Sequence, residues 1–500
     1  MSSSGRGIVS GTIALAVCQV GCVAALVFLS HDPEMQVAHL AALAMVAHIP
    51  YIALIALVTR VGVPIKIWPV LAISLCMRLM LVAAPPVFSD DVYRYEWDGK
   101  VTGAGYNPYD HAPADAELAF LRDDGWKQIN NRDLRTPYPP AAQAVFLCLG
   151  RVASSSTTFK LASALADTGV TFLVVLLAGG AWWRRKGRQK FPNTGAAAMA
   201  GLVYGFNPLA CVETGMSGHL EPFAILPLLL SVYLFGLARP GIRTLASSFF
   251  LAVACATKLV PLVLLPAMGR RNRWLWIAVP VLLVAFFAPI LDAGAHIWES
   301  TDAMFRRWEG NAGMFAVVKA AAGQIIGGIA NISRPEEMVH LSFMDVPARA
   351  LQGTFFSLHK NGVFDPSRPG AFSLEDISLF VAKAISAAIL LAVIARTYRS
   401  RFDPERAALW IMAAFVLVSP VVHPWYLLWV LPFAALRGIW PWPVFSGTLF
   451  LAYLPIDEWQ LRGVWEAPAW VPWIEYGTLA VSFFIWWYFR PREPEDRRNK

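Results

Sequence analysis

The sequence predicts an all-α polytopic protein that crosses a membrane about 12–14 times. Composition is the first reason: of 500 residues, 57% are hydrophobic and 15% are charged, whereas soluble domains hold about 25% charged residues. The second reason is that apolar runs of about 20 residues, the length of one span, recur along the chain. Helices are favoured because backbone groups in lipid must be paired within their own segment. This pattern excludes a disordered chain and disfavours a water-soluble globule.

The predicted spans follow one another from one terminus to the other. The first is interpreted as a helix rather than a cleaved signal peptide, because it is long and no clear cleavage site follows it. Lys258 and Pro261 interrupt the stretch Thr244–Met268, which therefore predicts a pair of short or broken helices. The other spans are predicted at Ile8–Leu29, Val37–Val58, Pro64–Ala84, Phe159–Trp182, Ala196–Val212, Pro222–Leu237, Trp274–Leu291, Ile377–Ala395, Ala407–Val422, Trp425–Leu436, Trp440–Ile456 and Trp470–Phe489.

Clusters of Lys and Arg predict which helix ends face the cytoplasm. When the spans alternate, four clusters fall on one side together with both termini: Arg184–Lys190, Arg270–Arg273, Arg396–Arg406 and Arg490–Lys500. This topology accounts for the net charge of +8 without a nucleic-acid partner. The basic ends are also suited to contact anionic membrane lipids.

Two long segments fall on the opposite side of the membrane. We call them outer loop 1, about residues 85–156, and outer loop 2, about residues 292–372, and we expect short amphipathic helices in both. Residues 1–490 are predicted to form a single integral-membrane domain, and residues 491–500 a charged cytoplasmic tail. Because long loops between spans are uncommon without a function, we expect the chemistry at the outer boundary of the membrane.

Outer loop 1 opens with an acidic segment, Ser89–Gly99, directly after a span. On a helix, Asp91, Tyr95 and Asp98 would share one face. An interfacial amphipathic helix with an ordinary cap is the alternative interpretation. Adjacent carboxylates near lipid are costly to keep without a use, however. Asp90 or Asp91 is therefore a candidate general base for a hydroxyl, or a ligand for a divalent cation near a phosphate.

Polar residues that can exchange protons or bind anions interrupt the later spans. His219 and Glu221 lie in the hinge Glu213–Pro222, and Lys258 lies within an apolar stretch. A tight polar hairpin and a lysine that extends to the interface are the alternatives. Outer loop 2 and the last outer hinge offer further cations and aromatic residues: Arg306, Arg307, Trp308, Asn311, His423, Trp425 and Tyr426. Arginines suit phosphate, although a solvated charge run and an interfacial aromatic belt are also typical.

In order, these segments resemble the GT-C superfamily of integral-membrane glycosyltransferases, particularly mannosyltransferase-like members of the glycosyltransferase family 87 type. The resemblance spans roughly residues 89–430. It rests on the order and common outer location of several short motifs. These motifs are Asp90–Tyr93, Gly105–Tyr109, Arg135–Pro140, Gly218–His219, Thr257–Lys258 with Pro261, Arg307–Trp308 with Asn311, and His423–Tyr426.

The resemblance implies transfer of a hexose, with mannose as first choice, from a polyprenyl-phosphate donor to a lipid-, glycan- or protein-linked acceptor, with inversion. Asp91 or Asp90 would be the base, and the same pair would hold Mg²⁺ or Mn²⁺ if a metal takes part. The donor phosphate would contact Arg306, Arg307, Lys258, His219 and His423. The sugar or acceptor would contact Asp98, Glu221, Tyr93, Tyr138, Trp308, Asn311, Trp425 and Tyr426. The expected location is a bacterial inner membrane, with the active site facing the periplasm.

Two alternatives remain open from the sequence. A different lipid-linked glycan transferase or polymerase would share the membrane, the outer loops and the phosphate leaving group. A transporter or flippase would instead place ionisable residues deep within spans. In this sequence Arg78, Lys160 and Lys383 are expected near span ends, which favours the transferase.

Overall fold

The computed structural model confirms an all-α polytopic membrane class. It describes residues 3–62, 65–180, 194–237, 241–294, 296–330, 338–340 and 371–489, without the side chains of 3–6, 304–307, 338–340 and 371–372. The predicted basic clusters Arg184–Lys190 and Arg490–Lys500 lie outside these residues. One small antiparallel sheet is present in the described part, formed by β1 (Met338–His340) and β2 (Ala371–Ser373), with Val339 opposite Phe372.

The helices fall into two halves along the chain. The first half contains α1 Ser3–Leu29, α2 Val37–Val46, α3 His48–Val61, α4 Ile67–Val82, α5 Asp91–Gly103, α6 Asp124–Lys127, α7 Pro140–Val152, α8 Ser156–Ala178, α9 Thr194–Gly205, α10 Pro208–Cys211, α11 Glu221–Gly236 and α12 Ile242–Thr257. The second half contains α13 Leu265–Gly269, α14 Leu275–Phe287, α15 His296–Arg307, α16 Gly313–Ala330, α17 Leu374–Arg399, α18 Pro404–Val418, α19 Leu431–Arg437, α20 Pro441–Thr448, α21 Pro455–Arg462 and α22 Val471–Phe489. Short helical turns connect them: a π-helix at Val212–Met216 and 3-10 helices at Ala116–Leu121, Val260–Leu264, Ala288–Ala293, Pro424–Trp429 and Leu449–Tyr453.

Fewer helices than the predicted 12–14 have the length of a full span. Within the described ranges, six are long and apolar enough: Gly7–Leu29, Val37–Val61, Ser156–Ala178, Leu275–Ala293, Gly313–Ala330 and Leu374–Arg399. The pair Thr194–Gly205 and Pro208–Met216, bent by 60°, would make a seventh. Other apolar runs form helices of 10–17 residues, because polar residues and prolines interrupt them. The predicted break at Lys258 and Pro261 is confirmed: α12 ends at Thr257, and a 3-10 turn follows.

Outer loop 2 contains an apolar helix in addition to the short amphipathic helices that the sequence predicts. Helix α16 has 18 residues and passes the length and composition test for a span. It packs antiparallel to the start of α17, with Phe315 and Ala382 in one cluster and Gly323 against Ser378. Polar and charged residues flank this stretch on both sides, so the sequence indicated a polar loop there.

Polar contacts define the two ends of the bundle. At one end, Arg270 donates to the Tyr398 carbonyl (2.6 Å) and Arg271 lies 3.2 Å from Asp403, so two of the predicted basic clusters meet. At the other end, Asp457 accepts hydrogen bonds from the backbone amides of Val37 and Ala38. The start of α21 therefore meets the start of α2. We call this second end the outer end.

Helix α5 is held against α7 and α8 at the outer end. Val92 and Tyr95 pack with Phe146 and Phe159 in a cluster separate from the main core of the bundle. An added Cβ at Gly99 would lie 2.5 Å from the Phe146 carbonyl oxygen, so the close approach of the helices requires glycine. This packing fixes the first turn of α5, which begins at Asp91.

Candidate functional site

Side chains from separate segments converge at the outer end of the bundle. Asp91 begins α5, and Glu221 begins α11. Lys258 follows the last residue of α12. His219 lies between the π-helix and α11. We call Asp91, Glu213, His219, Glu221 and Lys258 the site cluster; four of these five were predicted from the sequence.

A sharp turn before α11 directs His219 into the site cluster. The π-helix ends at Met216, and Gly218 then takes a positive φ of 72°. A Cβ at Gly218 would lie 2.7 Å from Lys160 Cγ, so a side chain would not fit at this position. The His219 amide donates to the Glu213 carbonyl at 2.9 Å, which closes the turn. π-Helical turns are frequent at functional sites.

The imidazole of His219 lies between two carboxylates. Its Nδ1 is 3.6 Å from Asp91 Oδ2, and its Nε2 is 3.2 Å from Glu213 Oε2. The other Glu213 oxygen accepts a 2.5 Å hydrogen bond from the Tyr453 hydroxyl. The sequence did not single out Glu213 or Tyr453. Glu213 belongs to the polar hinge Glu213–Pro222. Tyr453 lies in an apolar run far along the chain, where no sequence pattern indicates a functional residue.

A second ion pair borders the open side of the site cluster. Lys258 Nζ pairs with Glu221 and lies 5.5 Å from the centre of the Tyr426 ring. Glu221 is almost fully buried, and its Oε2 has no hydrogen-bond partner. The side chains of Lys258 and Asp91 both keep 27% of their surface exposed. A ligand that approaches from the outer end therefore meets an ammonium and a carboxylate.

Aromatic rings close one wall of the site. Trp425 stacks on His219 at 4.0 Å and on His423 at 4.3 Å, and Trp308 meets His423 edge-on at 6.4 Å. Asn311 approaches the Val422 carbonyl at 3.4 Å, next to His423. The structure thus brings together the predicted residues of outer loop 2 and of the last outer hinge. The predicted Arg306 and Arg307 end α15, and their side chains lie outside the described residues.

Burial and neighbouring charges shift the acid–base behaviour of the site. Burial raises the pKa of Asp91, and Glu221 adds to this, whereas His219 and Lys258 act in the opposite direction. Burial and the Asp91 charge raise the pKa of Asp90 to about 7. Burial opposes protonation of His219, but Glu213, Asp91 and Glu221 outweigh it and raise its pKa.

His423 differs from the cationic role that the sequence predicted for it. Burial, followed by the charges of His219 and Lys258, lowers the pKa of His423 to about 3. Its imidazole is therefore neutral at physiological pH. It can exchange hydrogen bonds with a ligand but does not supply a positive charge.

Three predicted residues of outer loop 1 lie among structural contacts. Asp98 is 1% exposed and accepts from Arg94 Nε at 2.9 Å and from Gln143 at 3.0 Å, so it does not face the site cluster. Tyr93 packs in the apolar clusters of the loop. Tyr138 packs edge-on against Tyr95, whose hydroxyl lies 3.4 Å from Asp91.

The two adjacent aspartates do not form a divalent-cation site in the described part of the chain. Asp90 accepts a 2.7 Å hydrogen bond from Asn130, whereas Asp91 faces His219 and Tyr95. Divalent cations need several oxygen ligands at one point. No group of three or more His, Cys, Asp or Glu side chains suited to a metal is found among the described residues. The two carboxylates are therefore directed at different partners, and a role for Mg²⁺ or Mn²⁺ bound together with a substrate phosphate stays a prediction.

Comparisons with known proteins agree with these observations. Two relatives are each 26% identical to the chain. One is named "Probable alpha-(1->6)-mannopyranosyltransferase" and comes from Mycolicibacterium smegmatis; it aligns over 391 residues, 71% of this chain and 63% of its own length. The other is an alpha-(1->6)-mannopyranosyltransferase of Mycobacterium tuberculosis, aligned over 408 residues, 71% of this chain and 64% of its own. The chain thus spans less than two thirds of the length of either relative.

Family models cover most of the chain, although no solved structure matches it significantly. The model for the MptB C-terminal domain matches residues 373–492. The model for the N-terminal domain of alpha-(1->6)-mannopyranosyltransferases matches residues 8–278, more than half of the 500 residues and all five members of the site cluster. The chain therefore belongs to the alpha-(1->6)-mannopyranosyltransferase family.

Proposed function

We propose that this protein is a GT-C-type mannosyltransferase that moves mannose from a polyprenyl-phosphate donor to a hydroxyl of a lipid- or glycan-linked acceptor, with inversion. The observation that carries the proposal is the position of Asp91. A partly exposed carboxylate lies beside His219 at the outer end of a membrane bundle whose family members are named mannopyranosyltransferases. Acceptor and donor would meet at this end, with the donor's lipid tail in the bilayer.

In the proposed reaction, Asp91 is the general base. The acceptor oxygen attacks the anomeric carbon while the bond from that carbon to the phosphate oxygen breaks. The hydroxyl proton passes to Asp91, and the bonding electron pair leaves with the polyprenyl phosphate. Burial, which raises the pKa of Asp91, makes it a stronger base than an exposed carboxylate.

The leaving phosphate gains negative charge and needs fixed cations. Lys258 is the cation of the site cluster that keeps exposed surface, and its pairing with Glu221 would hold the ammonium in place for the phosphate. His219 carries its charge between two carboxylates and would act mainly on Asp91. We keep Arg306 and Arg307 as further phosphate ligands, and assign hydrogen bonds to the sugar to His423, Tyr426 and Asn311.

The proposed location is a bacterial inner membrane with the outer end facing the periplasm and both termini in the cytoplasm. Two basic clusters meet at the opposite end of the bundle, around Arg270, Arg271 and Asp403. Such clusters are typical of the cytoplasmic side. Residues 85–156 and 292–372 would then face the periplasm within one membrane domain, with α16 packed on the start of α17 rather than crossing the membrane.

The decisive experiment compares Asp91→Asn with Asp90→Asn in the full chain, reconstituted in nanodiscs. Radiolabelled polyprenyl-phosphate mannose and extracted membrane acceptors are the substrates. We expect Asp91→Asn to lower the transfer rate by about 10²–10⁴-fold, the usual contribution of a general base. Asp90→Asn should stay close to wild type, because the Asp90 carboxylate is directed to Asn130.

The pH profile sharpens the same comparison. Because burial raises the pKa of Asp91, its base form is lost at a higher pH than that of an ordinary carboxylate, and the wild-type rate should fall as the pH falls through that pKa. Full activity of folded Asp91→Asn would remove Asp91 from the mechanism. No transfer by wild type from any polyprenyl-phosphate sugar would overturn the proposed function.

A further inference from the structure

Glu213 is a buried carboxylate with only one of its two oxygens hydrogen-bonded. It is fully buried, and its Oε1 accepts from Tyr453, whereas its Oε2 has no hydrogen bond and lies 3.2 Å from His219 Nε2. A buried charge is costly unless it is paired and hydrogen-bonded. Its position beside a histidine of the site indicates that it is retained for function.

The backbone around Glu213 is held in place from several sides. Thr214 Oγ1 donates to the Ala210 carbonyl at 2.7 Å within the same turn. A Cβ on Gly215 would lie 2.8 Å from the Arg78 carbonyl oxygen, so the π-helix packs directly on α4. With its own Oε1 fixed by Tyr453, the Glu213 side chain has little freedom to move away from His219.

The charged and titratable groups around His219 come from several elements. Asp90 and Asp91 approach from the start of α5, and Glu221 from the start of α11. His423 lies beyond the Trp425 ring, and Lys160 of α8 packs under Gly218. Among the described residues, only Asp91 and Glu213 place a carboxylate oxygen within 4.0 Å of an imidazole nitrogen of His219.

We propose that Glu213 is a positioning residue that holds the His219 imidazole with Nδ1 directed at Asp91, and that Tyr453 fixes Glu213 in turn. The proposal rests on the proposed function, in which Asp91 is the base. A carboxylate on one imidazole nitrogen fixes the orientation of the ring. Trp425 stacking fixes the plane of the ring but not whether Nδ1 or the Cδ2 edge faces Asp91. Glu213 supplies this missing constraint.

The test uses Glu213→Gln and Tyr453→Phe in the reconstituted full chain. Loss of the carboxylate that orients a metal-bound histidine typically costs about 10–100-fold in activity, and we take the same scale for His219. We therefore expect Glu213→Gln to lower kcat within this range, with the KM for the polyprenyl-phosphate mannose little changed. Tyr453→Phe should lower kcat less, since Glu213 remains.

Tyr51→Phe is the matched control for Tyr453→Phe. The Tyr51 hydroxyl is also buried and donates a 2.5 Å hydrogen bond, to the Val203 carbonyl, but it lies outside the site cluster. It should leave kcat unchanged. If Tyr51→Phe and Tyr453→Phe lower kcat equally, or if Glu213→Gln changes KM alone, the positioning role is overturned.

A double-mutant cycle adds a readout that a structural role would not give. Glu213→Gln combined with His219→Asn should be no slower than His219→Asn alone, because Glu213 acts through the imidazole. Additive losses would contradict the proposal.

Nitrogen NMR of the full chain, labelled on histidine nitrogens, separates this proposal from the proposed function. The His219 signals are those lost in His219→Asn, and Glu213→Gln should shift its Nε2 signal whether or not the protein transfers mannose. An unchanged signal would overturn the positioning role, whereas absent transfer with a shifted signal would overturn only the proposed function.

Discussion

Two groups of charged side chains are buried in this bundle, and they differ in how completely they are paired. The deep network consists of Ser74, Arg78, Asp167, Tyr204 and Thr214. Arg78 Nε and Nη2 lie 2.8 and 2.6 Å from Asp167 Oδ2, and Nη1 donates to Ser74 and to the Gly205 carbonyl. Asp167 also accepts from Tyr204 at 2.5 Å and lies 3.4 Å from the Thr214 hydroxyl. Both charged side chains are fully buried.

More polar atoms of the site cluster lack a hydrogen bond. Glu213 Oε2, Glu221 Oε2 and both nitrogens of His219 have no hydrogen-bond partner, although all of them are buried. In the deep network the same is true of Arg78 Nη2 alone, which lies 2.6 Å from Asp167 Oδ2. Unsatisfied buried polar groups are rare in folded proteins and require a reason. Buried charge by itself therefore does not separate the two groups. They differ in how many polar atoms lack a hydrogen bond and in the exposed surface that Asp91 and Lys258 keep, and this difference is what the predictions below test.

The deep network also bears on the transport alternative. Arg78 lies close to the end of α4, as expected, and it is buried and paired with Asp167, midway along α8. Intramembrane charges often mark transport paths. In this network, however, the charges are directed at each other and at neighbouring helices, with no exposed surface. They hold α4, α8 and α9 together, which favours a structural role.

The largest effect on stability is expected for Asp167→Asn. The substitution leaves the buried guanidinium of Arg78 without its counter-charge, and breaking a buried pair in this way costs about 3–5 kcal/mol. Thermal unfolding in detergent should show a large fall in Tm. The double variant Arg78→Met/Asp167→Leu should recover much of the loss, since apolar side chains of suitable volume replace such pairs well. An unchanged Tm in Asp167→Asn would contradict the structural role of the deep network.

Glu221→Gln is the same chemical change in the site cluster and should behave in the opposite way. Neutralising Glu221 removes a buried charge whose Oε2 makes no hydrogen bond, and the partly exposed Lys258 can be solvated without its partner. We therefore expect a smaller fall in Tm than for Asp167→Asn. Transfer should fall by about 10-fold or more, because Lys258 loses the partner that orients it toward the donor phosphate.

The two amide variants should be measured side by side for Tm and transfer rate. A large Tm loss in Glu221→Gln with transfer retained per folded molecule would place Glu221 with the deep network.

The sequence predicted the site where local patterns carry the information. His219, Lys258 and His423 are polar residues at breaks between apolar runs, and the structure brings them together. Asp98 shows the limit of this reasoning. Its spacing puts it on the Asp91 face of a regular helix, but α7 packs on α5 near Gly99 and supplies Gln143, which joins Arg94 in binding it.

Tertiary contacts explain the other residues that the sequence missed. Tyr453 reaches Glu213 across the bundle, and no pattern near either residue indicates this contact. The pairing of Arg78 with Asp167 is hidden for the same reason. The pattern of apolar runs also could not predict the number of full-length spans, because an apolar run does not reveal whether its helix continues straight or breaks at a proline.

Asp457→Ala should have the smallest effect. It tests whether a carboxylate matters for transfer because it lies at the outer end or because its oxygens lack hydrogen bonds. This carboxylate lies at the outer end like the site cluster, but both of its oxygens accept backbone hydrogen bonds, from Val37 at 2.8 Å and Ala38 at 2.9 Å. It thereby caps α2, whose preceding residue Gln36 makes no side-chain cap. Loss of a cap costs about 1 kcal/mol, so Tm should fall slightly while transfer per folded molecule stays at the wild-type rate. If transfer fell while Tm stayed constant, a carboxylate at the outer end would matter for transfer even when both of its oxygens are hydrogen-bonded. The contrast between fully and incompletely hydrogen-bonded charges would then not hold.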